Sequence, residues 1–292
     1  MPPLHAIVLG LTQGLTEFLP VSSSGHLLLV PRLFGWNDFH GDVHIEKAFD
    51  VALHIGTTVA LLAYFAKDII PLAQALIVSI LKRSVVGRRQ QLAWLLVVSA
   101  VPGAATGAVL ESTIERHLGS SWLIGTMLAT FGLILGYADR RRGTRVIETE
   151  DEPIAQAAPA GFARRDAIVM GLAQALALSP GVSRSGATIT AGRLLGFDRD
   201  AAARISFLMS VPITLGAIGF KVGKLFVLDG GIPSGLGSAF AIGIITSGIS
   251  GFLAVAGLLR LIRTKSFNAF VIYRVVAGVA VIALTAAGVG TL

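Results

Sequence analysis

The sequence contains no cysteine, so disulfide bonds and thiolate metal ligands are excluded. Charged residues are also scarce: they make up only 14% of the 292 residues, where a soluble domain carries about a quarter. Hydrophobic residues make up 53%, and the mean hydropathy is +0.75. These proportions exclude an ordinary soluble enzyme and predict a protein that lies in a membrane.

Apolar runs long enough to cross about 30 Å of hydrocarbon recur along the chain. Segment 69–82 is too short to span, and we expect it to follow the membrane interface or to extend the helix before it. The fold class is therefore predicted to be all-α, a polytopic membrane protein with a single integral membrane domain over residues 1–292. The six predicted spanning helices are 48–66, 92–110, 122–138, 203–226, 239–259 and 269–290.

The net charge of +7 is concentrated in three short clusters between apolar runs, within 82–89, 140–165 and 260–265. Basic loops between spans are typical of the cytoplasmic side of a membrane protein, where they also attract anionic lipid headgroups. We therefore expect membrane lipids as partners and no nucleic acid. The sequence leaves open whether protomers pair into a homodimer.

Two segments of the chain resemble each other. Residues 6–25 align without a gap with residues 167–186, and eleven of the twenty aligned pairs are identical. Each lies in a longer segment, 4–33 or 166–195, that is apolar at first and is then broken by Pro, Ser and Gly. Irregular backbone at membrane depth is tolerated where it is buried in protein or lines a cavity, so we predict two re-entrant helical hairpins.

The basic clusters predict opposite orientations for the two hairpins, the first entering from outside and the second from inside. The chain is therefore predicted to be an inverted-topology repeat, whose polar site lies near the membrane midplane where the halves meet. The first repeat would cover 1–142 and the second 166–292, with 143–165 as a cytoplasmic linker.

Glu17 and Arg184 are the leading candidates for function. A carboxylate within a membrane segment costs about 2.5 kcal/mol or more, so Glu17 is a functional candidate unless it only pairs with Arg184. Arg184 keeps its charge and offers a planar fork of donors that suits phosphate oxygens. Its neighbours Ser183, Ser185 and Gly186 complete a turn typical of an anion-binding site.

The run Ser22-Ser23-Ser24 precedes Gly25 and His26. These small residues can serve close helix packing, but beside Glu17 they favour phosphate ligands or a nucleophile. His26 stands three residues after Ser23, so the two side chains share a face if a helix begins at the serines. A Ser–His pair can activate the hydroxyl for attack on phosphorus, and His26 as the nucleophile stays open.

Gln13 and Gln174 occupy equivalent positions in the two segments, and each is either a helix-packing residue or a partner of the site. His54 has the same two interpretations, with packing favoured. No spacing resembles a His/Asp metal cage. We therefore expect a divalent cation, Mg²⁺ or Ca²⁺, to be held through substrate phosphates plus Glu17.

Three sequence stretches resemble the bacterial undecaprenyl-pyrophosphate phosphatase family, also called the bacitracin-resistance family. They run from Gln13 to His26, from Pro180 to Ile189 and from Asn268 to Arg274. The resemblance implies hydrolysis of C55 polyprenyl pyrophosphate, a phosphoric anhydride, to undecaprenyl phosphate and inorganic phosphate with a divalent cation. This recycles the lipid carrier of cell-wall synthesis, which implies an inner-membrane protein whose site opens to the periplasmic side.

The resemblance also implies roles for single residues. Ser23 and His26 fall on the proposed nucleophilic or acid–base residues, and Glu17 on the second acid of a Glu-x-x-x-Glu pair. Arg184 falls on the phosphate-binding arginine. Gln13 stands where many members have the first acid, which shifts the metal and proton work to Glu17. The alternative is a translocase of a phosphorylated polyprenyl lipid, because inverted repeats are also typical of transporters.

Overall fold

The structure is a computed structural model and describes residues 1–39, 41–146, 161–227, 231 and 235–288. These ranges contain only helices and their connections, apart from a single isolated bridge between Arg145 and Phe197. The helices are α1 Pro3–Phe18, α2 Ser23–Phe34, α3 Val43–Tyr64, α4 Ala66–Leu81, α5 Arg88–His117, α6 Ser121–Asp139, α7 Arg164–Leu176, α8 Arg184–Leu194, α9 Arg199–Val227, α10 Gly237–Ile262 and α11 Asn268–Ala286.

The predicted all-α polytopic fold is confirmed. Within the described ranges, α5, α6, α9, α10 and α11 are each long and apolar enough to cross a membrane. A sixth span is formed if α3 and α4 count together, as a pair bent by 91° at Phe65. Since α4 turns away at nearly a right angle, segment 69–82 does not extend the preceding helix. It has the direction expected of a helix that follows the interface.

Several predicted boundaries were wrong by a few residues. Helix α3 begins at Val43 rather than 48, because Asp42 caps its first turn by accepting hydrogen bonds from the His44 and Ile45 amides. Helix α5 continues to His117, beyond the predicted end at 110. Helix α11 ends at Ala286, and positions 289 and 290 of the predicted span lie outside the described residues.

The first helix of each hairpin packs closely on a long helix from the other part of the chain. Helix α1 lies against α10, and α7 lies against α5. A Cβ atom at Gly10 would lie 3.0 Å from the Gly243 carbonyl oxygen, and one at Gly171 would lie 2.6 Å from that of Ser99. Small residues at these equivalent positions therefore allow the backbones to approach, as in other membrane bundles.

The two hairpins enter from opposite ends of α6. The end of α2 is tied to the start of α6, because Arg32 donates to the Gly119 carbonyl at 3.1 Å. The end of α8 is tied to the other end of α6, because Arg193 donates to the Asp139 carbonyl at 3.2 Å. The division into repeats at 1–142 and 166–292 stays a prediction, and most of the predicted linker, 147–160, lies outside the described residues.

Each hairpin has a break between its two helices, at residues 19–22 in the first and 177–183 in the second. The two breaks contact each other in the middle of the bundle. Ser22 Oγ accepts a hydrogen bond from the Gly181 amide at 3.1 Å, and Ser185 Oγ donates to the Leu19 carbonyl at 3.1 Å. Each break thus satisfies part of the other's backbone.

Arg274 of α11 holds both breaks at once. Its side chain is fully buried and donates to carbonyl oxygens of both: Pro20 at 3.1 Å, Gly181 at 3.0 Å and Val182 at 2.9 Å. Its Nε donates to the Leu128 carbonyl of α6 at 3.1 Å. A planar guanidinium with five donors can make this set of bonds, whereas an ammonium group cannot.

We expect Arg274→Met to lower the free energy of unfolding by about 3–5 kcal/mol, because four buried carbonyls lose a donor and such costs do not simply add. Heat unfolding of the detergent-purified variant measures this loss. Arg260→Met is the matched control, since Arg260 is exposed at the end of α10 and should leave the unfolding midpoint unchanged. An Arg274→Met protein as stable as wild type would contradict the conclusion that Arg274 holds the two breaks together.

Candidate active site

Two helix N-termini face the point where the breaks meet. Helix α2 begins at Ser23 and α8 at Arg184. The preceding residues, Ser22 and Ser183, cap these helices by accepting hydrogen bonds from the Gly25 and Gly186 amides. The N-terminus of a helix carries partial positive charge and free N–H groups, so this pair of ends suits an anion.

The two capping serines share an unusual backbone conformation. Ser22 has φ 78° and Ser183 has φ 73°, both in a region that residues other than glycine rarely adopt. Such a conformation costs about 1–3 kcal/mol per residue and persists only where the surrounding structure enforces it. The same strained cap in both hairpins therefore makes the tips candidates for a functional site.

Glu17, in the last turn of α1, is the centre of a polar network. Its Oε2 accepts from Ser23 Oγ at 2.5 Å and from the Gln13 amide at 3.1 Å. Its Oε1 accepts from Arg184 of the other hairpin. The His54 Nε2 lies 3.7 Å from Oε2, an ion pair when the imidazole is protonated. The structure thus brings the predicted acid, hydroxyl and guanidinium together.

Arg184 joins the two hairpins and a third helix. One of its terminal nitrogens donates to Glu17 and the other donates to the Thr214 hydroxyl of α9. The side chain keeps about a quarter of its surface exposed, at 24%. A guanidinium that lies at a helix N-terminus and is still accessible can bind a phosphate group without any change in the fold.

A helix begins at Ser23, as the predicted shared face of Ser23 and His26 requires, but the two side chains have different hydrogen-bond partners. Its Nδ1 lies 2.6 Å from the Ser22 carbonyl oxygen, and its Nε2 lies 2.6 Å from the Tyr273 hydroxyl. Because a carbonyl can only accept, Nδ1 carries a proton, so in the neutral imidazole Nε2 accepts from the tyrosine. The imidazole therefore faces the Tyr273 hydroxyl of α11. The hydroxyl of Ser23 bonds Glu17 instead.

The predicted phosphate-binding hydroxyls divide into two groups. Ser22, Ser183 and Ser185 are buried, and their oxygens form or join the two breaks. Ser24 is exposed, with its Oγ 3.4 Å from that of Ser22. Gly186 lies against the Arg274 side chain, since a Cβ at Gly186 would approach an Arg274 nitrogen to 2.5 Å. Phosphate binding by any of these residues stays a prediction.

Four residues of the site were missed or undervalued. Thr214, Tyr273 and Arg274 had no assigned role, and His54 was interpreted as a packing residue. One signal was available for Arg274: an ionisable residue in the interior of an apolar span is a functional candidate by default. Thr214 carries no such signal, because a single Thr hydroxyl in a membrane helix commonly bonds its own backbone. Tyr273 carries none either, because tyrosine near the end of a span is common at the membrane interface.

The donor set around Glu17 suits a hard divalent cation only in part. No group of three or more acidic or histidine residues that could hold a metal exists among the described residues. The Gln13 Oε1 is buried without a hydrogen-bond partner in the structure, beside the carboxylate that the same amide contacts. Glu17, Gln13 and Ser23 therefore offer oxygen ligands, too few for a cage, so most ligands would come from phosphate and water.

Comparison with known proteins gives a consistent result over the whole chain. The family model described as bacitracin resistance protein BacA matches residues 6–280. An undecaprenyl-diphosphatase of Nocardioides sp. is 45% identical over 287 residues, which cover 98% of this chain and 97% of the relative. Those of Pelobacter propionicus and Geobacter sulfurreducens are also 45% identical, over 98% and 97% of this chain and 98% of each relative. The chain belongs to the bacitracin resistance protein family.

Proposed function

We propose that this protein hydrolyses undecaprenyl diphosphate to undecaprenyl phosphate and inorganic phosphate, and so recycles the lipid carrier for cell-wall synthesis. One observation carries the proposal: Glu17 contacts a serine hydroxyl of its own hairpin and an arginine of the opposite hairpin. This set supplies a nucleophile, a base and an anion-binding group at one point. The names and coverage of the relatives support the same activity.

Binding of the diphosphate follows from charge. The substrate's phosphates would lie where the N-termini of α2 and α8 meet and would accept hydrogen bonds from Arg184 and from free backbone amides. The lipid tail would lie between helices in the hydrocarbon region. We assign the protein to the inner (plasma) membrane, with the site open to the periplasmic side, because the family resemblance implies that the lipid substrate is located there.

Ser23 is the proposed nucleophile. Its Oγ forms a bond to the terminal phosphorus while the bond from that phosphorus to the bridging oxygen breaks, and undecaprenyl phosphate leaves. The serine proton passes to Glu17 Oε2, which already accepts it as a hydrogen bond at 2.5 Å. Glu17 gives this proton to the departing oxygen of undecaprenyl phosphate and is a carboxylate again. It then takes a proton from the water that attacks the phosphoserine and passes it to Ser23 Oγ as the Oγ–P bond breaks, which releases inorganic phosphate and restores the serine.

A bound Mg²⁺ or Ca²⁺ would neutralise charge on the phosphate oxygens. Within the chain, Glu17 and the unpartnered Gln13 Oε1 would hold it, and the substrate would provide most of its remaining ligands. Arg184 and the two helix ends stabilise the charge that develops on the transferred phosphoryl group.

Replacing Glu17 tests both the activity and its rival. We expect Glu17→Gln to lower the rate of phosphate release at least about 100-fold, because an amide keeps the shape but cannot take the serine proton. Phosphate release from undecaprenyl diphosphate in detergent measures it. Thr16→Ala is the control, since Thr16 lies one residue away and donates to the Thr12 carbonyl instead. A wild-type protein that releases no phosphate would favour a lipid translocase.

The identity of the nucleophile can be tested by trapping the phosphorylated enzyme. We expect label from a radioactive terminal phosphate to stay on the acid-quenched protein, because phosphoserine survives acid and phosphohistidine does not. Ser23→Ala should abolish the label and Tyr273→Phe should not, since the Tyr273 hydroxyl bonds His26 whereas Ser23 bonds Glu17. A label that survives alkali but not acid, and that is lost in His26→Gln, would make His26 the nucleophile.

The role of Gln13 in cation binding has a matched control in the sequence repeat. We expect Gln13→Leu to raise the Mg²⁺ concentration for half-maximal phosphate release about tenfold, because a neutral oxygen ligand is lost. Gln174→Leu should leave it unchanged. Gln174 is equally buried and also has an unpartnered Oε1, but its amide lies 3.5 Å from the Ser99 carbonyl rather than beside Glu17. Equal shifts in both variants would contradict the assignment, as would full activity in excess chelator.

A further inference from the structure

A large basic cavity lies at one end of the bundle, opposite the end where α1 begins and α2 ends. It has a volume of about 820 Å³ and lies where α6, α8 and α10 end and α9 begins. This volume is in the range of small-molecule sites. We name it the arginine cavity after six of its lining residues: Arg140, Arg141, Arg142, Arg193, Arg199 and Arg263.

The acidic residues of the arginine cavity are already engaged. Asp139 accepts from Arg199 at 2.7 Å, Asp198 caps α9 by accepting from the Ala201 amide at 2.7 Å, and Asp200 pairs at 2.6 Å with Arg204, which lies outside the lining. Six arginines against three aspartates leave a lining charge of +3. The three aspartates of the lining therefore do not neutralise its six arginines, although Asp200 Oδ1 is buried without a hydrogen-bond partner.

Several of the guanidinium groups have donors to spare. Arg140, Arg142 and Arg263 are exposed, and their side chains make no hydrogen bond or ion pair within the described part of the chain. Arg193 is only 4% exposed, and its Nε has no hydrogen-bond partner but lies 3.5 Å from Asp139 Oδ1 as an ion pair. Its other nitrogens donate to backbone carbonyls, among them Phe197 at 2.7 Å, which fixes the group in the lining.

We propose that the arginine cavity binds a phosphate group at a second site, separate from the catalytic one. Several guanidinium groups facing one space are suited to phosphate, which accepts paired hydrogen bonds from each fork. Arg184 and Arg193 are nine residues apart on α8, so at 1.5 Å per residue the two sites are about 14 Å apart along that helix. The positive-inside rule assigns this end to the cytoplasm.

The phosphate has two sources, inorganic phosphate from solution or the headgroup of an anionic lipid. Both present the same oxygens to the cavity, and basic pockets between membrane helices on the cytoplasmic side bind such headgroups. Free phosphate needs no membrane, whereas a headgroup reaches the cavity only from a bilayer or a mixed micelle.

Two triple variants test the proposal on the full-length protein. Arg140→Gln/Arg142→Gln/Arg263→Gln removes three charges from the cavity, and Lys82→Gln/Arg88→Gln/Arg164→Gln removes three exposed charges that do not line it. Both keep the catalytic residues, so a difference between them reports the cavity alone. Unfolding midpoints without phosphate show that each variant is folded.

The first arm titrates inorganic phosphate into detergent-purified protein by calorimetry. The second measures lipid retained by protein from vesicles of phosphatidylcholine alone or mixed equally with phosphatidylglycerol, using native mass spectrometry. We expect the cavity variant to bind about tenfold more weakly than wild type in at least one arm, since three charge contacts are lost, and the other variant to bind normally. The arm that responds identifies the source.

Equal binding by both triple variants in both arms would overturn the proposal. A second outcome would do so as well, because the sequence that follows Val146 carries Glu148, Glu150, Asp151 and Glu152. If wild type binds neither probe, and neutralising these four acids creates binding, the arginines of the cavity bind the chain's own carboxylates and not a phosphate.

Discussion

The structure depends on one guanidinium that satisfies two interruptions of helical backbone inside an apolar bundle. A helix that breaks at membrane depth leaves carbonyl oxygens without donors, and each unsatisfied group costs several kcal/mol in hydrocarbon. Arg274 donates to three such oxygens, at Pro20, Gly181 and Val182, and makes no ion pair with a carboxylate of the described residues. Its charge therefore stays uncompensated by acids and adds to the positive potential of the two helix ends beside it.

The two hairpins have the same backbone conformation at their tips but carry different side chains there. Ser22 and Ser183 cap their helices in the same strained conformation, but the next residue is Ser23 in one hairpin and Arg184 in the other. The position of Glu17 is likewise occupied by Leu178 in the second hairpin. The two hairpins thus provide similar helix ends, and the differing side chains place a hydroxyl and an acid on one side of the proposed anion site and a cation on the other.

Sequence alone predicted the parts of this site that depend on pattern. The spans follow from apolar runs, and the hairpins follow from Pro, Ser and Gly within an apolar segment, so the meeting of Glu17 and Arg184 could be predicted from the repeat. The contacts of His26 could not, because helical spacing gives a shared face but not a side-chain rotamer. Tyr273, 247 residues away, provides the hydroxyl that turns the imidazole from Ser23. Long-range partners of this kind depend on packing, which no local pattern encodes.

The ion pair between Glu17 and Arg184 also explains how binding and chemistry are linked on the proposed mechanism. Arg184 has one terminal nitrogen on Glu17 and one on Thr214, so an arriving phosphate must compete with these neighbours for its donors. A doubly charged phosphate group with several oxygens competes well with a single carboxylate oxygen. Once Arg184 turns to the phosphate, Glu17 keeps its bonds to Ser23 and Gln13 and loses its closest cation. The carboxylate then lacks the guanidinium that neutralised it when the serine proton has to be taken, so the move of Arg184 strengthens Glu17 as the base.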